Sequence, residues 1–276
     1  MNFETPIRIL SDLHLGHPAT TVEELEQLAP LLEGRETVVF NGDTVEMRYR
    51  SQREQGERDL AALRQLCARL DVVPIFINGN HDPMVSPTNH LDLPRERVLV
   101  THGDLLFYSI SPWSHEAKYV AAAHTEALST MDADSLTMLE HRLHASKQAA
   151  LALQLREPPV RHGPLAKLLT VMHQSWPPWR PLHIIRCWML TPKRAARLVH
   201  QYRPQAKFIV LGHTHYAGVW QRHGVTILNN GGFFPLSRQR LVDIENGRLY
   251  FREVLKVNGR FVTGKTLAEF PLPTDE

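Results

Sequence analysis

Five short polar segments, each placed directly after an apolar run, constrain the fold of this chain more than any other feature of its sequence. The apolar runs, at residues 7–10, 37–40, 72–77, 97–100 and 208–211, predict buried strands. Carboxyl ends of strands in α/β proteins are where sites are built, so the polar segments are expected to form one site. These segments are Asp12-Leu13-His14, Gly42-Asp43, Gly79-Asn80-His81-Asp82, His102-Gly103-Asp104 and Gly212-His213-Thr214-His215.

Helical patterns separate the first strands. Thr20 and Thr21 are each followed three residues later by a glutamate, which is a capping-box pattern, and they predict a helix that stops at Gly34 or a turn earlier at Pro30. Leucines at helical spacing predict a second helix over residues 50–70. Strands that alternate with helices indicate an α/β sandwich built on a central sheet.

Between residues 111 and 190 the strand pattern stops. Apolar stripes over 136–153 and 165–172 have helical spacing, so this part is predicted to be a helical insertion that acts as a lid between core segments 1–110 and 191–276. Thr191-Pro192 is expected to start a helix, with threonine as the N-cap. After residue 217, turn signals such as Asn246-Gly247 and Asn258-Gly259 predict hairpins that complete a second sheet.

The polar segments carry the residue types of a metal site. In extended backbone, residues two apart point the same way, so Asp12 can converge with His14, and His213 with His215. Together the segments offer carboxylate, imidazole and amide groups but no thiolate. That mixture suits Mn, Fe, Zn or Co better than Mg or Ca.

The ordered set of five segments resembles the calcineurin-like metallophosphoesterases over about residues 6–110 and 191–235. The resemblance implies a four-layer α/β/β/α sandwich and two divalent ions, with Mn²⁺ preferred and Fe, Zn or Co as alternatives. It implies that Asp43 bridges the ions and that His81 is the catalytic histidine. It assigns Asp12, His14 and His215 to the first ion, and Asn80, His102 and His213 to the second. Asp82 and Asp104 are expected to hold the loops.

These roles predict a metal-dependent phosphoester hydrolase. Two ions about 3.5–4 Å apart can generate a hydroxide at neutral pH and clamp the phosphoryl oxygens, while His81 stabilises the transition state or protonates the leaving oxygen. The insertion resembles that of the UDP-diacylglucosamine hydrolase branch, whose lid holds acyl chains and whose chemistry cleaves a pyrophosphate. That branch has arginine where this chain has His81. We therefore expect a pyrophosphatase or phosphodiesterase for a nucleotide-linked lipid or a similar small anionic substrate. The alternatives are a nuclease, a general phosphodiesterase or phosphatase, and a non-catalytic scaffold.

Charge is distributed unevenly along the chain. Residues 158–242 contain 12 lysines and arginines and no acid, whereas the remainder contains 19 basic and 29 acidic residues. Four of the five tryptophans, at 113, 176, 179 and 188, lie in the predicted insertion. Basic residues beside aromatics suit an anionic head group with an apolar portion; the alternative is an aromatic core with a solvated basic face. Candidate substrate residues are Arg48, Arg50, Arg53, Arg180, Arg186 and His17.

Three further observations bear on placement in the cell. The chain has only two cysteines, no apolar run of 18 residues and no apolar segment near residue 1 typical of secretion signals. We therefore expect a cytoplasmic protein that can contact the inner face of a membrane.

The segment Asn229-Asn230-Gly231-Gly232 is expected to line the rim of the site or to form a simple turn.

Overall fold

Two β-sheets form the centre of the molecule, for which the computed structural model describes residues 6–93, 96–155 and 180–272. The first sheet has the order β11-β10-β9-β1-β2-β3. Its strands β1, β2 and β3 run parallel, with Ile7 opposite Thr37 and Thr37 opposite Val73. The strands are β1 Ile7–Leu10, β2 Thr37–Asn41, β3 Val73–Ile77, β9 Arg240–Glu245, β10 Arg248–Val257 and β11 Arg260–Pro271.

The second sheet has the order β4-β5-β6-β8-β7. Strands β5, β6 and β8 are parallel, and β4 and β7 flank them antiparallel. Sequence patterns had not indicated β4. The strands are β4 His90–Leu93, β5 Val98–Thr101, β6 Phe208–Leu211, β7 Gly218–Arg222 and β8 Val225–Asn229.

Helices cover the outer faces of both sheets. They are α1 Ala29–Leu32, α2 Arg53–Arg69, α3 Ala117–Ser129, α4 Leu139–Leu151 and α5 Arg180–Tyr202, with 3₁₀ turns at Leu25–Leu28, Arg50–Gln52, Asp104–Leu106, Ser135–Thr137 and Ala152–Leu155. One apolar core joins the two sheets, a second lies under α1 and α2, and a third lies under α4 and α5. The predicted four-layer α/β/β/α sandwich is thereby confirmed.

The helix predicted from Thr20 and Thr21 is wrong in its start. The Thr20 hydroxyl donates to the Leu13 carbonyl at 2.8 Å, and the Thr21 hydroxyl donates to the Phe233 carbonyl at 3.0 Å. Both hydroxyls therefore hold neighbouring loops instead of capping a helix. Helical structure begins only with the 3₁₀ turn at Leu25, and α1 is four residues long.

The helix start predicted at Thr191-Pro192 is also wrong, because both residues lie inside α5. Pro192 lacks the N–H that would bond to the carbonyl four residues earlier. The helix continues because its face carrying Ala195 and Val199 is fully buried against the second sheet, and such packing overrides local propensity. Thr191 donates its hydroxyl to the Cys187 carbonyl at 2.8 Å within the same helix.

The described part of residues 111–190 contains α3, α4, the start of α5 and two 3₁₀ turns, and no strand. The stripe predicted over 165–172 lies outside the described residues. The extent of the insertion remains a prediction. Among the described helices, none combines the length and the apolar character that a bilayer crossing needs.

Candidate metal centre

The loops after β1, β2 and β6 share an unusual backbone conformation. Asp12, His14, Asp43, His213 and His215 have φ angles of 54°, 48°, 48°, 65° and 53°. This left-handed region costs L-residues about 1–2 kcal/mol each, and such strain concentrates at functional sites. The ligand side chains thus converge through left-handed turns, and not through the extended backbone that the sequence led us to expect.

The first cluster of candidate ligands joins Asp12, His14, Asp43 and His215, whose ligand atoms lie within 4.8 Å of one another. His215 Nε2 is 3.1 Å from Asp12 Oδ1 and 3.3 Å from His14 Nε2. His14 Nε2 is 3.5 Å from Asp43 Oδ2. Imidazole nitrogens and carboxylate oxygens therefore face a common point.

The second cluster joins Asp43, His102 and His213 within the same limit of 4.8 Å. His102 Nε2 lies 3.3 Å from Asp43 Oδ2 and 3.2 Å from the side-chain oxygen of Asn80. Asp43 belongs to both clusters, which is the position required of a bridging carboxylate. Six of the seven residues that the sequence predicted as ligands form these two adjoining clusters, and the seventh, Asn80, contacts His102 of the second cluster.

Bonds from the opposite ring nitrogens orient the histidines of the second cluster. His102 Nδ1–H donates to the Asn41 carbonyl at 3.1 Å, and His213 Nε2–H donates to the Ile110 carbonyl at 3.0 Å. When the rings are neutral, these bonds leave the other nitrogen, Nε2 of His102 and Nδ1 of His213, free to ligate, as is usual for metal-bound histidine. Ile110 itself has a φ of 60°, which is uncommon for a β-branched residue.

Burial and charge set the ionisation of the candidate ligands. Burial opposes the ionisation of Asp43, but His102 and His81 hold the pKa of its carboxyl well below the ordinary value. Burial and neighbouring His102 lower the pKa of His213 to about 4, while Asp43 raises the pKa of His102 to about 9 against the effect of burial. A cation requires ionised carboxylates and neutral imidazoles. Asp43 and His213 are already in those forms at pH 7, and His102 would lose its proton on binding.

Two further aspartates hold the loops, as predicted. Asp82 accepts backbone N–H bonds from Asp43 at 2.9 Å, from Gly79 at 2.8 Å and from Thr44 at 2.6 Å. Asp104 is fully buried and accepts hydrogen bonds from Lys147 at 2.8 Å and from the Ser146 hydroxyl at 2.9 Å, both on α4. Asp82 thus fixes the loop that carries the bridging carboxylate, and Asp104 ties α4 to the loop after β5.

Close approach explains two of the motif glycines. A Cβ atom at Gly79 would lie 2.1 Å from Asp43 Oδ1, and one at Gly212 would lie 2.0 Å from Asp12 Oδ2. Any side chain at either position would displace a ligand carboxylate. These glycines therefore let the loops close around the site.

Glu46 belongs to the site, although sequence reasoning did not find it. Its two carboxylate oxygens both lie 2.9 Å from His81 Nδ1, and Oε2 lies 3.6 Å from His14 Nδ1. Burial opposes its ionisation, but His81 and His14 keep its pKa far below the ordinary value. The available signal was a carboxylate three residues after Asp43 in the same loop. The His81 ring is held with Nδ1–H toward Glu46.

A cavity of about 340 Å³ opens beside the first cluster. Its wall includes His14, His81 and His215 from the loops, and Trp113 and Ile184 from the predicted insertion. Phe234, another residue that the sequence did not indicate, lines the cavity, and its ring centre lies 4.8 Å from those of His14 and His215.

Two other candidate substrate residues line this cavity. Burial lowers the pKa of His17 to about 4, so this histidine is neutral at pH 7. Arg48 donates to Glu116 at 2.8 Å and to the Ser114 hydroxyl at 3.0 Å.

The other candidate substrate residues are placed differently. Among the described residues of the cavity wall, Arg50, Arg53 and Arg186 do not occur, and all three side chains are exposed. The side chain of Arg180 lies outside the described part of the chain. Arg50, Arg53 and Arg186 are therefore not gathered with Arg48.

Asn229 and Asn230 brace the site from behind. The Asn229 amide donates to the Gly212 carbonyl at 2.7 Å, and the Asn230 amide donates to the Ile9 carbonyl at 2.9 Å. Both side chains are fully buried. This segment is therefore more than the simple turn considered from the sequence, since its amides connect the ends of β1 and β6.

Trp113 and Trp188 contribute to the site in different ways. The Trp113 ring centre lies 5.5 Å from that of His213. Trp188 donates its indole N–H to the Thr214 carbonyl at 2.9 Å and stacks on Tyr216 at 4.6 Å. Trp176 and Trp179 lie outside the described residues.

A four-layer sandwich that gathers carboxylates and imidazoles at its strand ends defines the metallophosphoesterase class. The sequence matches the calcineurin-like phosphoesterase family over residues 5–217, and the chain belongs to that family. The resemblance inferred from the five segments is confirmed at this level. A search of curated proteins gives no significant match.

Three solved structures illustrate the structural similarity. Vacuolar protein sorting 29 from Cryptosporidium parvum is 12% identical, with 98% of this chain and 100% of that one covered and a TM-score of 0.47. A dimetal phosphatase from Danio rerio is 10% identical, with coverages of 94% and 98% and a TM-score of 0.46. A predicted phosphoesterase from Streptococcus pneumoniae is 11% identical, with coverages of 97% and 97% and a TM-score of 0.39.

Proposed function

We propose that this protein hydrolyses phosphoesters or pyrophosphates at a centre of two divalent metal ions. The observation that carries the proposal is the membership of Asp43 in both ligand clusters. Asp12, His14 and His215 would hold one ion, and Asn80, His102 and His213 the other, with Asp43 between them. Mn²⁺ is the first candidate, and Fe, Zn or Co would also suit these nitrogen and oxygen ligands.

The buried donors fit such ions. The ionised carboxylates and oriented ring nitrogens face two points. Burying so many polar groups together is costly, and two bound cations would offset that cost. When bound, two divalent ions supply charge neutralisation for the phosphoryl group and a nucleophilic water at neutral pH.

His81 and Glu46 supply the protein's own part in the chemistry. With Nδ1–H donated to Glu46, the other nitrogen of His81 can face a substrate oxygen in the cavity, because His81 belongs to the cavity wall. Burial disfavours the charged ring, but Glu46 and Asp43 raise the pKa of His81. A protonated His81 can stabilise phosphoryl charge or give its proton to the leaving oxygen.

The preferred substrate class is a nucleotide-linked lipid or a similar anionic molecule with an apolar part. The cavity combines imidazoles and Arg48 with Trp113, Ile184 and Phe234. Near Ile184 on α5, Leu182, Ile185 and Met189 are exposed by 64%, 46% and 76%. Their spacing of three and four residues places them on one helix face. Such a face supports contact with acyl chains and with the cytoplasmic surface of a membrane.

Hydrolysis assays with Mn²⁺ test this function. The substrates are a UDP-linked lipid, single-stranded DNA and a phosphomonoester, and the phosphate-containing products of each reaction are identified. We expect cleavage of the pyrophosphate in the lipid, and loss of both bound metal and turnover in Asp43→Asn and His213→Ala. His144→Ala, which changes an exposed histidine on α4, is the matched control.

The assay also separates the alternatives. Cleavage of DNA in preference to the lipid would identify a nuclease. Unchanged turnover and metal content in both site variants would overturn the metal-centre proposal. A wild-type protein that binds no metal and cleaves none of the substrates would instead favour a scaffold.

A further inference from the structure

A second cavity, of about 230 Å³, lies between α4, α5 and the 3₁₀ turn Asp104–Leu106. Its polar wall consists of Arg142 from α4 and of Arg194, Arg197, Gln201 and Tyr202 from α5. It shares no lining residue with the cavity beside the metal clusters. The two cavities are therefore separate places in the molecule.

The three arginines of this cavity have no carboxylate partners among the described residues. No aspartate or glutamate lines the cavity, and no described carboxylate oxygen lies within 4.0 Å of a nitrogen of Arg142, Arg194 or Arg197. Arg142 and Arg194 are half-buried, and Arg197 is exposed. Elsewhere in the described chain, several half-buried arginines do have such partners. Examples are Arg48 with Glu116, Arg203 with Asp92, and Arg252 with Asp243 and Glu245.

The surroundings of two of these guanidinium groups, those of Arg142 and Arg194, are known in more detail. Arg142 Nε is buried and has no hydrogen-bond partner in the described structure. Arg194 donates to the Leu106 carbonyl at 2.9 Å, and its guanidinium lies 4.7 Å above the centre of the Phe107 ring. An unpaired cation that is partly withdrawn from water is costly. An anion in this cavity would remove that cost.

We propose that this cavity is a second ligand site, which binds a small anion carrying phosphate. Guanidinium groups present planar pairs of N–H donors that match phosphate oxygens, and Arg142 and Arg197 would supply them beside the pre-positioned Arg194. Gln201 and Tyr202 add neutral donors at the same wall. The charge of three arginines without a counter-ion favours an anion of two or more charges, such as phosphate or pyrophosphate.

The proposed site lies between the turn that follows β5 and the helices α4 and α5. Leu105 and Leu106 in its wall follow the candidate ligand His102 by three and four residues. Arg142 shares α4 with Lys147, which binds Asp104. A bound anion would therefore contact the insertion and the turn that follows a metal-ligand loop.

Calorimetric titration of the metal-free protein, with all 276 residues of the chain, at low salt tests the proposal. Pyrophosphate and inorganic phosphate are the probes, since removal of metal weakens phosphate binding at the catalytic centre. We expect saturable binding of pyrophosphate that weakens as salt is raised. Arg142→Met/Arg197→Met should weaken it at least 10-fold, and the single variant Arg197→Met, whose side chain is exposed, about 3-fold.

Two matched controls locate the binding. Arg222→Met removes an exposed arginine on β7, and Arg48→Met removes an arginine of the catalytic cavity; both should bind pyrophosphate as wild type does. The proposal is overturned if wild type shows no saturable binding, if a folded Arg197→Met and the double variant bind unchanged, or if Arg48→Met abolishes binding. None of these results depends on catalysis, so they are independent of the proposed hydrolase function.

Discussion

In the metal-ligand loops, buried side chains are mostly polar and hold one another, whereas in α3 and α4 the buried side chains are mostly apolar. Asp12, Asp43 and His102 are each at most 2% exposed and bond to polar groups of other loops. In α4, Leu139 and Leu143 are fully buried in an ordinary apolar core. The loops therefore depend on mutual polar contacts, which few substitutions can preserve.

A small number of polar bonds joins these two regions. Lys147 binds Asp104, Glu116 binds Arg48, and Gln154 donates to the Met47 carbonyl at 3.0 Å. Among the described residues, α3 and α4 contribute no ligand to either cluster, while Trp113 and Ser114, which precede α3, line the cavity beside the first cluster. From this difference we expect that chemistry and substrate selection can be changed separately, and the following experiments test that separation.

The largest effect is expected within the loops, from a comparison of two neighbouring histidines. His14 is 1% exposed and belongs to the first cluster, whereas His17 is half-buried in the cavity wall. His14→Ala should lose bound metal and lower kcat/KM by about 10³-fold. His17→Ala should keep the metal and change kcat/KM by less than about 10-fold. Equal losses in both variants, measured by metal analysis and steady-state kinetics, would contradict the assignment of His14.

The next largest effect concerns the buried ion pair of Asp104 and Lys147, which joins the loop after β5 to α4. Asp104→Asn leaves Lys147 charged and unpaired, so we expect it to lower the free energy of unfolding by about 3–5 kcal/mol. Asp104→Asn/Lys147→Met should cost less than the single variant. Denaturant unfolding of metal-free proteins measures both, and a double variant that is less stable than Asp104→Asn would contradict this account.

The same pair gives stability a defined pH dependence. Burial opposes the ionisation of Asp104, but Lys147 lowers its pKa from the ordinary 3.8 to about 2. Because the folded pKa is the lower one, this contribution is complete above about pH 4 and is lost as the pH falls toward 2. Relative to Asp104→Asn, the wild-type protein should therefore lose about 2 kcal/mol of stability over that interval.

The difference between the two regions also explains what the sequence could predict. Strands β1, β2, β3, β5 and β6 are short apolar runs, and their polar ends follow a fixed order, so seven candidate ligands could be predicted, and six of them lie in the two clusters. Glu46 and Phe234 were missed because each becomes part of the site only through distant contacts. Glu46 meets His81 across 35 residues, and Phe234 meets His14 across more than 200.

Helix boundaries failed for a related reason. Pro192 normally marks a helix start, but here the burial of Ala195 and Val199 against the second sheet continues α5 through it. Thr20 and Thr21 are good caps in isolation, yet their hydroxyls bind carbonyls of loops around the site. Local patterns cannot represent competition from residues that are remote in sequence.

A smaller catalytic effect is expected at Glu46, which acts through His81. Glu46→Gln should keep the metal and lower kcat by about 10–100-fold, because the His81 ring loses its charged acceptor. Glu46 raises the pKa of His81, so Glu46→Gln should lower it. The fall of kcat on the alkaline side of the pH profile should therefore occur at lower pH in this variant. Glu46→Asp should restore part of the rate. Glu57→Gln, at an exposed glutamate paired with Arg53, is the matched control.

A fall in kcat without a shift in that limb would contradict the proposed role of Glu46. It would indicate that the carboxylate only supports the loop. Loss of metal in Glu46→Gln would also contradict it, and would place Glu46 with His14 in the first cluster, since the two side chains are 3.6 Å apart.

The smallest effect is expected on α5, at exposed apolar residues that belong to neither ligand cluster. Leu182→Ser/Met189→Ser should raise KM for a UDP-linked lipid about 3–10-fold, as expected when partial contact of two apolar side chains with acyl chains is lost. Its kcat, and all constants for a water-soluble phosphodiester, should stay unchanged. Leu267→Ser, at an exposed leucine of β11, provides the control. If KM rose equally for both substrates, these residues would act through the shape of the cavity, and the separation between chemistry in the loops and lipid contact on α5 would fail.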